Sequence, residues 1–182
     1  MNKLLEEIKE CKKCSLHMTR NLPTIYCGNT KSKIVFIGEA PGKNEDETGV
    51  PFCGRAGNIL DELLESINLK REEVYITNII KCRPPKNRDP EEGEIKKCKE
   101  YLDKQLEMIK PKVICPLGRF SSKYILNKYL SESYEIGEVH GKVFKINDLI
   151  IIPMYHPAAA IYDNKKLDIL KKDIKKIINS LK

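Results

Sequence analysis

A short apolar run, Ile34-Val35-Phe36-Ile37, constrains the fold of this chain more than any other stretch. The run is rich in β-branched residues and stops at Gly38, where a loop dense in glycine, proline and carboxylates begins. A helical spacing of apolar residues starts at about Ala56. This order of strand, loop and helix is typical of α/β proteins, which bind ligands beyond the carboxyl ends of their parallel strands. We therefore expect the loop over residues 39–52 to carry chemistry.

The rest of the chain repeats the alternation of strands and helices. Apolar runs predict further strands at 74–80, 113–117 and 149–152, the last in a hairpin or strand pair that begins near residue 143. Asp89 predicts the N-cap of a helix whose first residue is Pro90, and Glu92 completes a pattern resembling a capping box. Strands that alternate with helices favour a mostly parallel sheet between helical layers. We predict an α/β/α sandwich with a central sheet of four strands, built as a single domain over residues 1–182.

Length and charge limit the class of protein. With 182 residues and 41% apolar content, the chain has enough material for one full-sized core. It has no apolar run near the roughly 20 residues that span a bilayer and no signal-like N-terminus, so we expect a cytoplasmic protein without membrane contact. The net charge of +7 fits a basic face for nucleic acid. It fits a solvated surface rich in Lys and Glu equally well.

The seven cysteines are too many for an intracellular core, and their odd number argues against a disulfide framework. Cys11 and Cys14 form a C-x-x-C pair, Cys82 follows the second strand, and Cys98 lies in the next helix. Four such thiolates can hold one metal ion or an iron–sulfur cluster, while the pair alone also fits a redox motif. The distance in sequence between Cys82 and Cys98 makes a zinc ribbon the weaker alternative. The other three are expected to be buried in the core: Cys27, Cys53 and Cys115.

The loop after the first strand invites comparison with a phosphate-binding loop. The comparison fails, because only three residues separate Gly38 from Gly42 where that motif has four. Asn44 also stands in place of the Ser or Thr that would bind Mg²⁺. The loop therefore offers backbone N–H groups and carboxylates without the signature of a nucleotide phosphate site.

The polar and aromatic residues near the predicted strand ends suit a flat, polar ring. Phe52 can stack on such a ring, and Asn78 at the end of the second strand can read its edge. His156, after the last strand, can stabilise developing negative charge. Glu39 and Glu45 stand close by in sequence. Each residue alone has an ordinary structural explanation, but their joint placement at strand ends favours a binding site.

An ordered set of motifs along nearly the whole chain resembles the family 4 uracil-DNA glycosylases. The motifs are Gly38-Glu39-Ala40-Pro41-Gly42, Gly49-Val50-Pro51-Phe52, Gly54-Arg55-Ala56-Gly57, Thr77-Asn78, Lys81-Cys82-Arg83-Pro84-Pro85 with Asn87-Arg88 and Pro90, and His156-Pro157-Ala158-Ala159. The resemblance implies a 4Fe-4S cluster with the ligands Cys11, Cys14, Cys82 and Cys98. These ligands would join the N-terminal segment to the loop after the second strand. It also implies a uracil pocket, for which we predict the substrate-binding residues Gly38, Ala40, Phe52, Asn78 and Asn87 and the catalytic residues Glu39, Glu45 and His156.

The resemblance implies a glycosylase that flips uracil out of DNA and hydrolyses its N-glycosidic bond to leave an abasic site. In this interpretation the ring stacks on Phe52, Asn78 pairs with N3–H and O4, and His156 stabilises the anion at O2. The group that positions the attacking water is open among three residues, because Ala40 stands where more familiar uracil glycosylases have an aspartate. The three candidates are Glu39, Glu45 and Asn87.

The expected partner is uracil-containing DNA, single- or double-stranded, bound by a monomer. Three basic residues are expected to contact phosphates: Arg83, Lys86 and Arg88. The run Ala160-Ile161-Tyr162 departs from the Leu-Leu-Arg-like sequence usual in this family, which leaves open which residue enters the duplex. Two other classes remain, a non-catalytic iron–sulfur module that binds nucleic acid and an electron-transfer protein. Neither explains Phe52, Asn78 and His156 together.

Overall fold

The computed structural model describes residues 2–181, which form a sheet covered on both faces by helices. The helices are α1 (Asn2–Lys9), α2 (Lys43–Thr48), α3 (Arg55–Glu65), α4 (Glu92–Ile109), α5 (Arg119–Leu130), α6 (Ile136–Val139) and α7 (Asn164–Leu181). The strands are β1 (Cys27–Gly28), β2 (Ile34–Gly38), β3 (Tyr75–Asn78), β4 (Val113–Pro116), β5 (Phe144–Ile146) and β6 (Leu149–Ile151). The predicted α/β/α sandwich is confirmed.

The sheet has six strands in the order β1-β3-β2-β4-β6-β5, so the predicted number of four was wrong. The four central strands are parallel, and the two edge strands are antiparallel to their neighbours. β5 forms the expected hairpin with β6. β1 escaped prediction because its two residues show no apolar pattern of their own; they are strand only through pairing of Cys27 with Ile76 and Gly28 with Tyr75.

The central strand β2 is buried on both faces, which explains its uninterrupted apolar sequence. Val35 and Ile37 point to one core, which is completed by α1, α4 and α5. Ile34 and Phe36 point to the opposite core, with α3 and α7. Successive side chains of a strand face opposite ways, so this one strand fixes both layers of the sandwich.

Three local expectations were corrected. The helix predicted to begin at Pro90 begins at Glu92, because the backbone N–H of Glu91 donates to Glu94 Oε2 at 2.8 Å. Asp89 instead pairs with Arg119 at the start of α5. The predicted loop 39–52 contains the short helix α2. Of the three cysteines expected in the core, Cys115 is buried, Cys27 is only partly buried and Cys53 is exposed.

In the part of the chain from residue 2 to residue 181, no helix combines the length and the apolar character needed to cross a membrane.

The burial of β2 leads to a test of stability. The Phe36 side chain is fully buried, so Phe36→Ala is expected to lower the free energy of unfolding by about 3–5 kcal/mol. Met108→Ala, on the exposed side of α4, should change it by less than about 0.5 kcal/mol. Urea denaturation followed by circular dichroism measures both. Equal effects of the two variants would contradict the assignment of Phe36 to the core.

Candidate active site

The carboxyl ends of β2 and β3 meet the segment that follows β6, and together they enclose a pocket of about 420 Å³. Parallel pairing of β2 with β3 sets Gly38 directly beside Asn78. The pocket is lined by Glu39, Ala40, Pro41, Gly42, Glu45, Phe52, Ala56, Asn78, Pro84, Asn87, Arg88, His156 and Ala158. All of the predicted substrate-binding and catalytic residues except Gly38 are brought together here.

Gly38 lies behind the pocket rather than on its surface. A Cβ at this position would stand 2.3 Å from Asn78 Oδ1 and 2.7 Å from Phe52 Cε2. The glycine therefore leaves the space that the Asn78 amide and the Phe52 ring occupy. Its contribution to the site is this close approach, not a contact with a ligand.

Asn78 presents an unused amide to the pocket. Its side chain is 2% exposed, and within residues 2–181 neither its Oδ1 nor its Nδ2 has a hydrogen-bond partner in the protein. The amide faces the pocket, where a ligand or water can supply the bonds that the protein does not make. The position thus offers one donor and one acceptor to an incoming polar edge.

Phe52 is held through its backbone. Its φ of 54° lies in the left-handed region, which is uncommon for a residue with a side chain. Arg71 donates to the carbonyl oxygens of Phe52 at 2.8 Å and Pro51 at 3.2 Å, and two further bonds pair its guanidinium with Asp61. A Cβ on Gly57 would come within 1.7 Å of Phe52 O, so the turn also requires a glycine there.

The sequence interpretation missed Arg71, because nothing in its local pattern links residue 71 to a loop some 20 residues earlier. The glycine at position 57 lies in one of the quoted motifs and could have pointed to a close backbone approach. Both act on the Phe52 backbone from outside the pocket.

His156 is poised as a neutral hydrogen-bond donor. Its Nδ1 accepts the backbone N–H of Ala158 at 3.1 Å, so the network assigns the proton to Nε2. Burial lowers the pKa of His156 to about 4, which keeps the imidazole uncharged near neutral pH. The ring packs against Phe52 with centroids 5.5 Å apart and planes inclined by 22°.

The two carboxylates have different surroundings. Burial, and secondarily the negative charge of Asp89, raises the pKa of Glu39 to about 7, against smaller opposing effects of Arg119 and the Phe120 N–H. Glu45 Oε1 accepts the backbone N–H of Gly54 at 3.1 Å, at the start of α3. Glu45 is therefore anchored to a helix N-terminus, where negative charge is stabilised. Glu39 is the carboxylate that changes protonation near neutral pH.

The basic loop after β3 is partly occupied by internal contacts. Arg83 Nε donates to Asn87 Oδ1 at 2.6 Å, which uses the amide oxygen of Asn87. Arg88 binds both oxygens of Glu94, at 2.9 and 2.6 Å. Lys86 is exposed. Arg88 thus stabilises the start of α4 through its ion pair with Glu94, and it also lines the pocket.

A second, smaller pocket brings together the four predicted ligands, Cys11, Cys14, Cys82 and Cys98. Arg20 Nη1 donates to Cys82 Sγ at 2.9 Å, and the backbone N–H of Lys81 donates to Cys98 Sγ at 3.3 Å. Over residues 2–181, no three metal-binding side chains lie close enough together to hold a single metal ion. The structure thus gathers the four cysteines around one pocket and places hydrogen-bond donors at two of their sulfurs.

The chain matches known proteins over most of its length. Residues 25–182 match the family model described as the uracil DNA glycosylase superfamily. The type-4 uracil-DNA glycosylase of Archaeoglobus fulgidus is 46% identical, over 97% of this chain and 91% of the relative. Those of Sulfurisphaera tokodaii and Saccharolobus solfataricus are 47% and 44% identical, over 97% and 98% of this chain and 83% and 85% of the relatives.

These matches confirm the resemblance that the motifs indicated. The pocket at the carboxyl ends of β2 and β3 contains residues from each of the motifs that carry the resemblance. The family model covers every residue that lines this pocket. The chain belongs to the uracil DNA glycosylase superfamily and, within it, to the type-4 uracil-DNA glycosylases.

Proposed function

We propose that this protein excises uracil from DNA by hydrolysing the bond between the base and deoxyribose. The observation that carries the proposal is the buried Asn78 amide, which faces the pocket and has no hydrogen-bond partner within residues 2–181. Uracil presents an N3–H donor beside its O4 acceptor, which complements one side-chain amide. Cytosine has an unprotonated N3 and an amino group at C4. An amide oriented for uracil would therefore set its oxygen against N3 and its N–H against the amino group, and neither hydrogen bond would form.

The base reaches this pocket by leaving the DNA stack. Flipping costs a few kcal/mol, and least for a mismatched or single-stranded nucleotide. Phe52 supplies the apolar face that replaces the lost stacking, and Arg71 holds the Phe52 backbone in place before the base arrives. Because the Phe52 loop is already ordered, binding of the base does not have to include the entropy cost of ordering it.

His156 stabilises the leaving base. As the N-glycosidic bond lengthens, positive charge develops on the sugar and negative charge on uracil O2. The Nε2–H of a neutral His156, together with backbone N–H groups near Ala40, donates to that oxygen. A preorganised donor of this kind typically contributes roughly 10²–10³ in rate.

Glu39 is the group that we assign to the attacking water. Its raised pKa makes it a base matched to neutral pH, whereas Glu45 already accepts the Gly54 N–H and the Asn87 oxygen already accepts from Arg83. The carboxylate of Glu39 orients water toward the sugar and accepts its proton as the bond to C1′ forms. Uracil leaves with the bonding electrons and an abasic site remains.

The second pocket fits a 4Fe-4S cluster with the ligands Cys11, Cys14, Cys82 and Cys98. The fit rests on the donor set: four cysteines reach one pocket from α1's C-terminal side, the loop after β3, and α4. When bound, the cluster supplies four metal–sulfur links between these segments. Arg20 and the Lys81 N–H donate to two of the sulfurs and hold the thiolates in place.

The finer properties of the protein stay predictions from its sequence. These are its single-domain organisation, a monomeric and cytoplasmic state, and action on single- or double-stranded DNA. The alternative of a non-catalytic module that binds nucleic acid accounts for the cysteines and the basic residues. It gives no role to the free Asn78 amide or to the neutral His156, and we therefore favour the enzyme.

Asn78→Asp tests how the base is recognised. The carboxylate repels O4 and cannot donate to it, so kcat/KM for a uracil-containing oligonucleotide is expected to fall about 10²-fold. Abasic sites are scored by alkaline strand cleavage. Asn127→Asp, at an exposed position of α5, is the matched control and should keep wild-type activity. Undiminished uracil release by the Asn78 variant would remove this residue from base recognition.

The pKa of Glu39 predicts the pH dependence of excision. Protonation below about pH 7 removes the base, so the single-turnover rate should rise about tenfold per pH unit up to pH 7 and level off above it. Glu39→Gln should be slow, with a flat profile over the same range. The rate of Glu45→Gln should still rise with pH up to about pH 7, even if its absolute value is lower. A Glu39→Gln profile that still rises would assign the titration to another group.

Removing one predicted ligand tests the cluster. Cys98→Ser is expected to lose most of the bound iron and the brown absorbance, and to unfold at a lower temperature than the wild type. Iron content, visible spectra and thermal scans of the purified protein measure these changes. Cys53→Ser, at an exposed cysteine outside the pocket, should retain both iron and stability. Full iron content in the Cys98 variant would exclude this residue as a ligand.

A further inference from the structure

Lys81 is a buried lysine that the proposed chemistry does not use. It follows the end of β3 by three residues, and its side chain is 1% exposed. Its Nζ donates to three oxygens, Thr77 Oγ1, Asn78 O and Gln105 Oε1, each at 2.7 Å. An ammonium has three N–H donors, so these acceptors use all of them.

Two of the three acceptors are themselves fixed. Gln105 Nε2 donates to Tyr75 OH at 2.8 Å and to Ile25 O at 3.3 Å. The Thr77 hydroxyl donates to the same Ile25 oxygen at 2.6 Å. The ammonium is therefore held in one position by β3, α4 and the segment before β1. Its third bond transmits that position to the backbone of Asn78.

The carbonyl of Asn78 lies where the strand pairing stops. The register of β2 with β3 ends at Gly38 and Asn78, and the chain beyond is tied by Ile79 N–H to Gly38 O at 3.0 Å. The Lys81 Nζ donates a hydrogen bond to the Asn78 carbonyl oxygen at 2.7 Å. The carbonyl of Asn78 and the N–H of Ile79 belong to one peptide group, so these two bonds hold it from both sides and with it the direction in which the Asn78 side chain enters the pocket.

The cost of burying Lys81 argues against a purely stabilising role. Among residues 2–181 no carboxylate lies within ion-pair distance of its Nζ. Burial disfavours the charged amine and lowers the pKa of Lys81 to about 7. An apolar residue of similar volume often stabilises a core as well or better. An apolar residue could not reproduce the three directed bonds of the Nζ, and the one of these that reaches a residue of the base pocket is the bond to Asn78 O.

We propose that Lys81 is a positioning residue for base recognition: its ammonium fixes the Asn78 peptide so that the side-chain amide meets the uracil edge. The inference rests on the proposed uracil excision. The same residue also touches the surrounding structure, since its N–H donates to Cys98 Sγ and its carbonyl accepts the Thr24 N–H at 2.7 Å. Lys81 thus lines the cysteine pocket and contacts the backbone of Asn78, a residue of the base pocket.

A double-mutant cycle with Asn78 tests the proposal. Lys81→Met keeps the length of the side chain and removes its donors. In the wild-type background it should lower kcat/KM for uracil about tenfold or more, and reduce the preference for uracil over cytosine. In the Asn78→Ala background it should change the rate less than twofold, because the group that it positions is gone. A merely structural role predicts the same fold-change in both backgrounds.

Gln105→Leu is the matched control. It removes another acceptor of the same ammonium and leaves the bond to Asn78 O, so it should lower the melting temperature while preserving the preference for uracil over cytosine. Where Lys81→Met does not fold, Lys81→Gln gives the same comparison in both backgrounds. Equal losses in the two backgrounds overturn the role of Lys81 alone. Failure of the wild type to release uracil overturns the proposed function as well.

Discussion

The parallel pairing of β2 with β3 is the constraint on which the site depends. It brings the ends of two strands that are about 40 residues apart in sequence into adjacent positions, with Gly38 beside Asn78. The space above this pair is open because residue 38 has no side chain. The Phe52 ring and the Asn78 amide share that space, so the register of the two strands places both residues in the pocket.

The electrostatics of the pocket follow from its burial. Removal from water disfavours charge, which keeps His156 neutral and raises the pKa of Glu39 toward neutrality. A neutral histidine donates without introducing a charge of its own, and a carboxylate of raised pKa is a stronger base. One physical effect thus prepares two residues for opposite tasks, one at the leaving base and one at the water.

Much of the fold and the site could be predicted because the signals are local. The run 34–37 predicts a buried strand by composition alone, and the motif residues stand directly after strands, where a parallel sheet collects them. The features that escaped prediction depend on distant contacts. β1 exists only by pairing with β3, Arg71 reaches back to Phe52, and the helix start near Asp89 shifted because Glu94 satisfies Glu91. Nothing in the sequence indicated that Lys81 is buried, because lysine is rarely found inside a core.

Arg71 holds the Phe52 loop through the carbonyl oxygens of Pro51 and Phe52. These bonds depend on the backbone of the loop and not on which side chain residue 52 carries. Evolution could exchange the side chain at position 52 for another that tolerates the left-handed backbone and still inherit an intact wall. The position of the pocket wall and the chemistry of the side chain that it displays can therefore change separately.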